Sequence, residues 1–286
     1  MTYSFTLTRA PAISPASTKP LASLRFFAVL WVVLYSYIGE LKLHVHFGLI
    51  DDGYLGIDLL VVLSGFLLGR IGFDAVAQRR SGLQPSLVVT LLSGVVLIAL
   101  YIGLDAMGGF PVTHAALHWG VLRLVPAFLI GAVLDLARRA GAVDRPAIAM
   151  AAAMAAGLIL VAAGSYSRAD VVIVIACGLL VLAMSGLGRD GTGILSSPVF
   201  VYLGKISLSA LVVYMPWKWI YPGLVNGLLG TRHAPMPFIW WVAGLLALVP
   251  ISMLLHHLIE VPCRGLVRRF GEKILVRFGP KFARQG

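Results

Sequence analysis

The chain has 286 residues, of which 59% are hydrophobic and only 12% charged, with a mean hydropathy of +0.92. A soluble domain cannot hide that much apolar surface, so the composition is that of a polytopic membrane protein. The net charge of +11 would suggest a nucleic-acid partner in a soluble chain. Here the cations gather in short loops and in the tail, as membrane topology requires, and no nucleic-acid partner is expected.

Residues 1–20 are polar, contain Pro11, Pro15 and Pro20, and lack the apolar centre of a signal peptide. They read as a cytoplasmic segment ahead of an uncleaved first span. Apolar stretches of membrane-crossing length then recur at 21–39, 54–72, 86–107, 114–136, 146–164, 170–187, 198–221 and 237–259. They do not alternate as barrel strands would, so the expected fold is all-α, a bundle of about eight transmembrane helices. Spans five and six are bland, and Ala147, Ala151 and Ala155 form a small-residue stripe expected to serve helix packing.

The cations orient the bundle. Arg9 and Lys19 precede the first span, Arg70, Arg79 and Arg80 follow the second, and Arg138, Arg139 and Arg145 follow the fourth. Arg189 follows the sixth, and seven cations from Arg264 to Arg284 follow the eighth. The alternate loops are cation-poor, with Arg168 and Arg232 as exceptions. Both termini are therefore expected in the cytoplasm, with 21–260 as the membrane domain and 261–286 as a basic tail. The expected location is the inner (plasma) membrane, crossed many times.

Ionisable groups at membrane depth are costly and point to function. Arg25, Asp58, Arg123, Lys205 and Glu260 are the candidates, with Lys205 and Glu260 near expected span ends, where snorkelling is the competing explanation. On the first helix Arg25, Val29, Val32 and Ser36 share a face, since eleven residues bring a helix back to nearly the same side about 16 Å further on. Asp58 lies several residues inside the second span, where a carboxylate needs a proton or a cationic partner such as Arg25. His44 and His46 form an H-x-H pair without an evident third ligand, so no metal site is expected. His256 and His257 are expected at the interface, and Trp217, Trp219, Trp240 and Trp241 in an aromatic belt. Cys177 and Cys263 are too far apart in the chain to imply a disulfide framework. No Walker loop, GxSxG elbow or HExxH occurs.

Four segments, "LASLRFFAVLWVVLYSY", "GYLGIDLLVVLSGFLLGRI", "LRLVPAFLIGAVLDLARR" and "YLGKISLSALVVYMPWKWI" with "HHLIEVPCRGLVRRF", together resemble the integral-membrane acyltransferase family 3. That group includes surface-polysaccharide O-acetyltransferases. The second segment is very close to the family's G-x-D-hydrophobic-SGF signature. The resemblance implies transfer of an acyl or acetyl group from acyl-CoA, as co-substrate and with no resident cofactor, to a glycan hydroxyl. Arg25, Ser36 and Asp58 would be the catalytic set, and Ser64, Arg123, Lys205, Tyr214 and Glu260 would line the substrate site.

The departures concern the chemistry. Ser36 stands where the family has a first-helix histidine, Tyr214 where its closing helix carries another, and Ala127 where an acidic residue is common. The chain is also shorter, by about a pair of helices. The family's histidine serves as general base, for which an imidazole is suited. A serine hydroxyl is no base at neutral pH, which leaves Asp58 as the substitute if it stays ionised. The competing function is a non-catalytic scaffold or binding protein in the bilayer, working in an oligomer with itself or a second chain. A transporter would show inverted repeats or broken helices, which are not evident.

Overall fold

A computed structural model of the chain describes residues 15–38, 53, 55–79, 93–100, 102–103, 117–139, 145–163, 170–187, 194–229, 237–263 and 265. Every element among them is a helix. In chain order these are α1 (Pro15–Ile38), α2 (Leu55–Arg79), α3 (Leu117–Arg139), α4 (Pro146–Ala163), α5 (Asp170–Leu187), a 3-10 turn at Ile194–Ser196, α6 (Pro198–Leu229) and α7 (Phe238–Leu255). A π turn at His256–Glu260 extends α7, and residues 93–100 between α2 and α3 are also helical. The all-α expectation therefore holds.

Four helices are long and apolar enough to cross a membrane: Lys19–Ile38, Leu55–Phe73, Pro198–Leu228 and Phe238–Cys263. This makes the chain a membrane protein. Pro146–Ala162 and Val171–Leu187 are apolar but shorter. At 1.5 Å per residue each spans about 26 Å, less than the ~30 Å hydrocarbon core. α3 carries Arg123, Asp135, Arg138 and Arg139 along its length, so its sequence is not that of an uninterrupted apolar span.

The described residues form two compact units. The first takes those of Met1–Ser36 and Leu43–Lys205, the second those of Tyr37–Lys42 and Ile206–Gly286. In the first, α2 packs on α3 and α5, and α4 packs on α5. Its core joins Leu59, Val62, Leu63 and Phe66 of α2 to Leu21, Leu24 and Ala28 of α1, Ala127 of α3, and Ile173 and Val181 of α5.

Helices surrounded by lipid gain little from apolar burial against each other, because lipid tails are as apolar as leucine. Close backbone approach has to supply the contact. At the α2–α3 crossing a Cβ on Gly65 would strike the carbonyl of Phe128, and one on Gly131 would strike the carbonyl of Val62. One turn along, Gly69 rests on Ala132. α1 and α2 run antiparallel in the same way, with Gly56 against the carbonyl of Ala28 and Gly53 against that of Trp31.

Two packing expectations are corrected. Ala147, Ala151 and Ala155 are exposed, whereas Ala149, Ala156 and Leu160 are buried. α4 thus turns a different face inward from the one its alanine spacing suggests. Second, of the four tryptophans expected in a belt, Trp219 and Trp240 alone are exposed. In the second unit Trp217 donates its indole N–H to the Gly244 carbonyl at 2.9 Å, and buried Trp241 donates to the Tyr37 carbonyl at 2.9 Å. An indole N–H in apolar surroundings needs an acceptor, and backbone carbonyls supply it.

The glycine crossings generate a paired prediction. Gly131→Ala gains the helix propensity of alanine but must push apart α2 and α3, so it lowers stability by on the order of 2 kcal/mol. A methyl group on Gly157 would meet nothing within 4 Å, so Gly157→Ala raises stability by about 0.5–1 kcal/mol. Thermal unfolding in one lipid or detergent system checks both signs.

Candidate functional site

The end of α1 that carries Lys19 is fastened to α6 by three contacts inside the first unit. Ser23, fully buried, donates its hydroxyl to the Leu195 carbonyl in the 3-10 turn at 2.6 Å. Gly204 lies so close to α1 that a Cβ would strike the Ala22 carbonyl. The Arg25 guanidinium then reaches across and donates to the Gly204 carbonyl, from Nε at 3.0 Å and also from Nη2. Phe26 and Phe27 of α1 pack with Phe200 of α6, with ring centroids 6.4 and 5.5 Å apart.

These contacts frame a recess of about 340 Å³ lined by Lys19, Leu21, Ala22, Arg25, Leu67, Val201 and Lys205. Its three titratable wall residues are all cations. Its volume falls in the usual range for small-molecule sites. A guanidinium has five N–H donors in a rigid fork and suits phosphate or carboxylate, while the two ammonium groups add point charge.

The other expected site residues are scattered. Ser36 is half-buried near the far end of α1, and between it and Arg25 the shared stripe is filled by Val29 and Val32, 2% and 3% exposed. Asp58 is fully buried in the first turn of α2, where the positive end of the helix dipole favours a carboxylate. It is not among the described residues that wall the recess. Ser64 is exposed and bonds back to the Leu60 carbonyl of its own helix at 2.7 Å. Arg123 belongs to α3, but its side chain lies outside the described residues, as do His44 and His46. Tyr214 is buried in the second unit.

Two polar clusters bring together residues that the sequence reading did not pair. In the first unit Asp135, fully buried, pairs with Arg139 at 2.7 Å and with Arg138 at 3.5 Å, and Arg139 also donates to the Arg70 carbonyl at 3.1 Å. In the second, Glu260 closes the π turn that follows α7. Its Oε2 accepts the Ser209 hydroxyl at 2.7 Å and meets Nδ1 of His256 at 2.7 Å. His256 is buried and His257 is exposed. The signal for both clusters was spacing: acid and base stand three or four residues apart on one helix.

Asp135 holds two guanidinium groups from a buried position, so Asp135→Asn leaves them poorly compensated. The arginine side chains keep about a fifth of their exposure, which limits the loss to about 2 kcal/mol, readable as a lowered thermal midpoint. Comparison of the chain with protein-family models, with curated proteins and with solved structures yields no match.

Proposed function

We propose that the chain is a membrane O-acyltransferase of the integral-membrane acyltransferase family 3 type. It would move an acyl or acetyl group from acyl-CoA to a hydroxyl of a cell-surface or exported glycan. The observation that carries this reading is the cationic recess of Lys19, Arg25 and Lys205. Coenzyme A is a polyanion with a thin flexible arm, and a small recess with three cations on otherwise apolar helices suits its phosphates. In the eight-span, plasma-membrane topology that the cation pattern implies, both termini and this recess face the cytoplasm, where acyl-CoA is available. Arg25 binds the donor while its hold on the Gly204 carbonyl fixes the direction of the guanidinium.

The presence of Ser36 and Tyr214 where histidines are expected favours a second reading, a non-catalytic glycan-binding or partner-binding protein on the same scaffold. Such a protein copurifies with its partner and shows no donor-dependent stabilisation. An enzyme is stabilised by donor alone.

The test is binding and transfer with labelled acetyl-CoA on the full chain in lipid nanodiscs and native membranes. Donor raises the thermal midpoint, and the effect weakens with salt because the contacts are ionic. Arg25→Leu weakens donor binding by about tenfold or more, and Arg25→Lys recovers little, because an ammonium cannot reproduce the fork. Lys19→Ala and Lys205→Ala each weaken it by several-fold. Unchanged donor affinity in Arg25→Leu removes the recess from the reading, and absence of both binding and glycan labelling removes the reading itself.

A further inference from the structure

We propose that the recess of the first unit seats the headgroup phosphate of an anionic phospholipid. The inference goes beyond the acyltransferase reading and rests on it in one respect: where that reading holds, acyl donor and lipid compete for the same three cations.

Depth is the first observation. Every residue lining the recess belongs to a helix segment long and apolar enough to cross a membrane. Lys19 opens the first of these segments, and Arg25 stands six residues further in, about 9 Å at 1.5 Å per residue. Leu67 lies six residues before Phe73, where the second segment ends, and Lys205 seven residues after Pro198, where the third begins, so about 9 and 11 Å from those ends. The three ends share one side, because α1 and α2 are antiparallel and the Leu195 carbonyl ahead of α6 meets Ser23 on α1. Lys19–Ile38 has 20 residues, about 30 Å, which matches the hydrocarbon core. Lys19 therefore stands at the level of the headgroups, and the recess reaches inward from there.

Charge is the second. An arginine one or two turns inside a span ordinarily snorkels toward water. Arg25 is instead turned onto the Gly204 carbonyl, which holds its guanidinium in the wall of the recess. Lys19 is half-buried and Lys205 exposed, both on flexible stems that can follow an anion. A guanidinium and two ammonium groups match the charge and the oxygen-rich surface of a phosphate. Basic pockets between transmembrane helices on the cytoplasmic side are sites for anionic headgroups, and in the topology that the cation pattern implies this end is the cytoplasmic one. A zwitterionic headgroup brings a cation of its own among three others and is disfavoured.

The third observation separates a lipid from a soluble anion. Leu21, Leu67 and Val201 make the rest of the wall apolar. Leu68, next to Leu67, and Ile71, one turn past it, are each 56% exposed. That surface belongs to acyl chains. A phosphate tethered to such chains reaches the recess from the side without leaving the bilayer, whereas a free anion has to give up water to enter.

The test is native mass spectrometry of the full chain released from nanodiscs of equimolar phosphatidylglycerol and phosphatidylcholine, read as the ratio of the two lipids retained. Wild type retains phosphatidylglycerol with about tenfold preference or more. Lys19→Gln and Lys205→Gln each cut that preference by about fivefold, the worth of one cation near an anionic lipid, and the double variant loses it. Lys19→Arg and Lys205→Arg, which keep the charge, keep the preference. Arg145→Gln, which removes an exposed cation outside the recess, also keeps it. Equal retention of the two lipids by wild type, or full preference in the double variant, overturns the inference. The arm for a soluble anion is thermal unfolding in pure phosphatidylcholine nanodiscs with inorganic phosphate or glycerol 1-phosphate added. Neither raises the midpoint as admixed phosphatidylglycerol does, and an equal rise with free phosphate overturns the lipid as occupant. Acetyl-CoA separates the inference from the acyltransferase reading. Displacement of retained phosphatidylglycerol by acetyl-CoA supports both. Donor binding that needs Lys19 and Lys205, in a chain with no lipid preference, overturns the inference alone. A lipid preference that acetyl-CoA leaves untouched keeps the inference and removes the donor from the recess.

Discussion

The bond from the Arg25 guanidinium to the Gly204 carbonyl sets the character of the first unit's recess. The Gly204 carbonyl dipole directs the guanidinium. That carbonyl is within reach because residue 204 is glycine, and the missing side chain lets α6 lie directly on Ala22. Ser23 closes the same junction on the turn before α6. One small residue therefore permits the helix contact, directs the arginine and shapes the wall of the recess. Any larger residue at 204 would disturb all three together.

The same economy runs through the rest of that unit. α2 meets α3 through Gly65, Gly69 and Gly131, and meets α1 through Gly56, while Gly53 in the turn ahead of α2 lies against Tyr35 and Trp31 of α1. These contacts are backbone against backbone, so they are short-ranged and tolerate no added atoms. In exchange they need no hydrophobic driving force, which lipid would not provide. Asp135 with its arginines adds a polar fastening at the α3 end that carries Arg138 and Arg139, where Arg139 also reaches the α2 backbone at Arg70.

Much of the fold was legible in the sequence. Each apolar interval described by the structure is a helix, because a run with no charge and no alternation can satisfy its backbone in lipid only that way. The ends were less legible. α1 starts at Pro15 and α6 runs on to Leu229, since hydropathy marks where lipid could be and not where hydrogen bonding stops. The inward face of α4 was illegible for a related reason: in a helix of alanine, leucine and isoleucine no polar residue marks the outside. The site was legible in part. Arg25 and Lys205 were singled out and do share a recess, whereas Ser64 faces outward and two packed valines separate Ser36 from Arg25 along the helix. Glu260 was singled out as a candidate and His256 was read as interfacial, but the two were not paired. The stronger clue lay in "HHLIEVP", where a proline forces the preceding turn to rearrange and the acid stands four places after the base.

The two units meet the cost of polar groups in apolar surroundings in different ways, and the difference has chemical content. In the first, a neutral carbonyl directs a guanidinium that shares its recess with two further cations. In the second, Oε2 of Glu260 meets both the imidazole of His256 and the hydroxyl of Ser209. The first arrangement favours holding a polyanion, since nothing in it must gain or lose a proton. The second ties α6 to the segment that follows α7 through one shared carboxylate oxygen. A purely structural helix clasp would be satisfied by Ser209 and Glu260 alone. The histidine adds burial cost without adding reach between α6 and α7, because it sits on the same segment as Glu260.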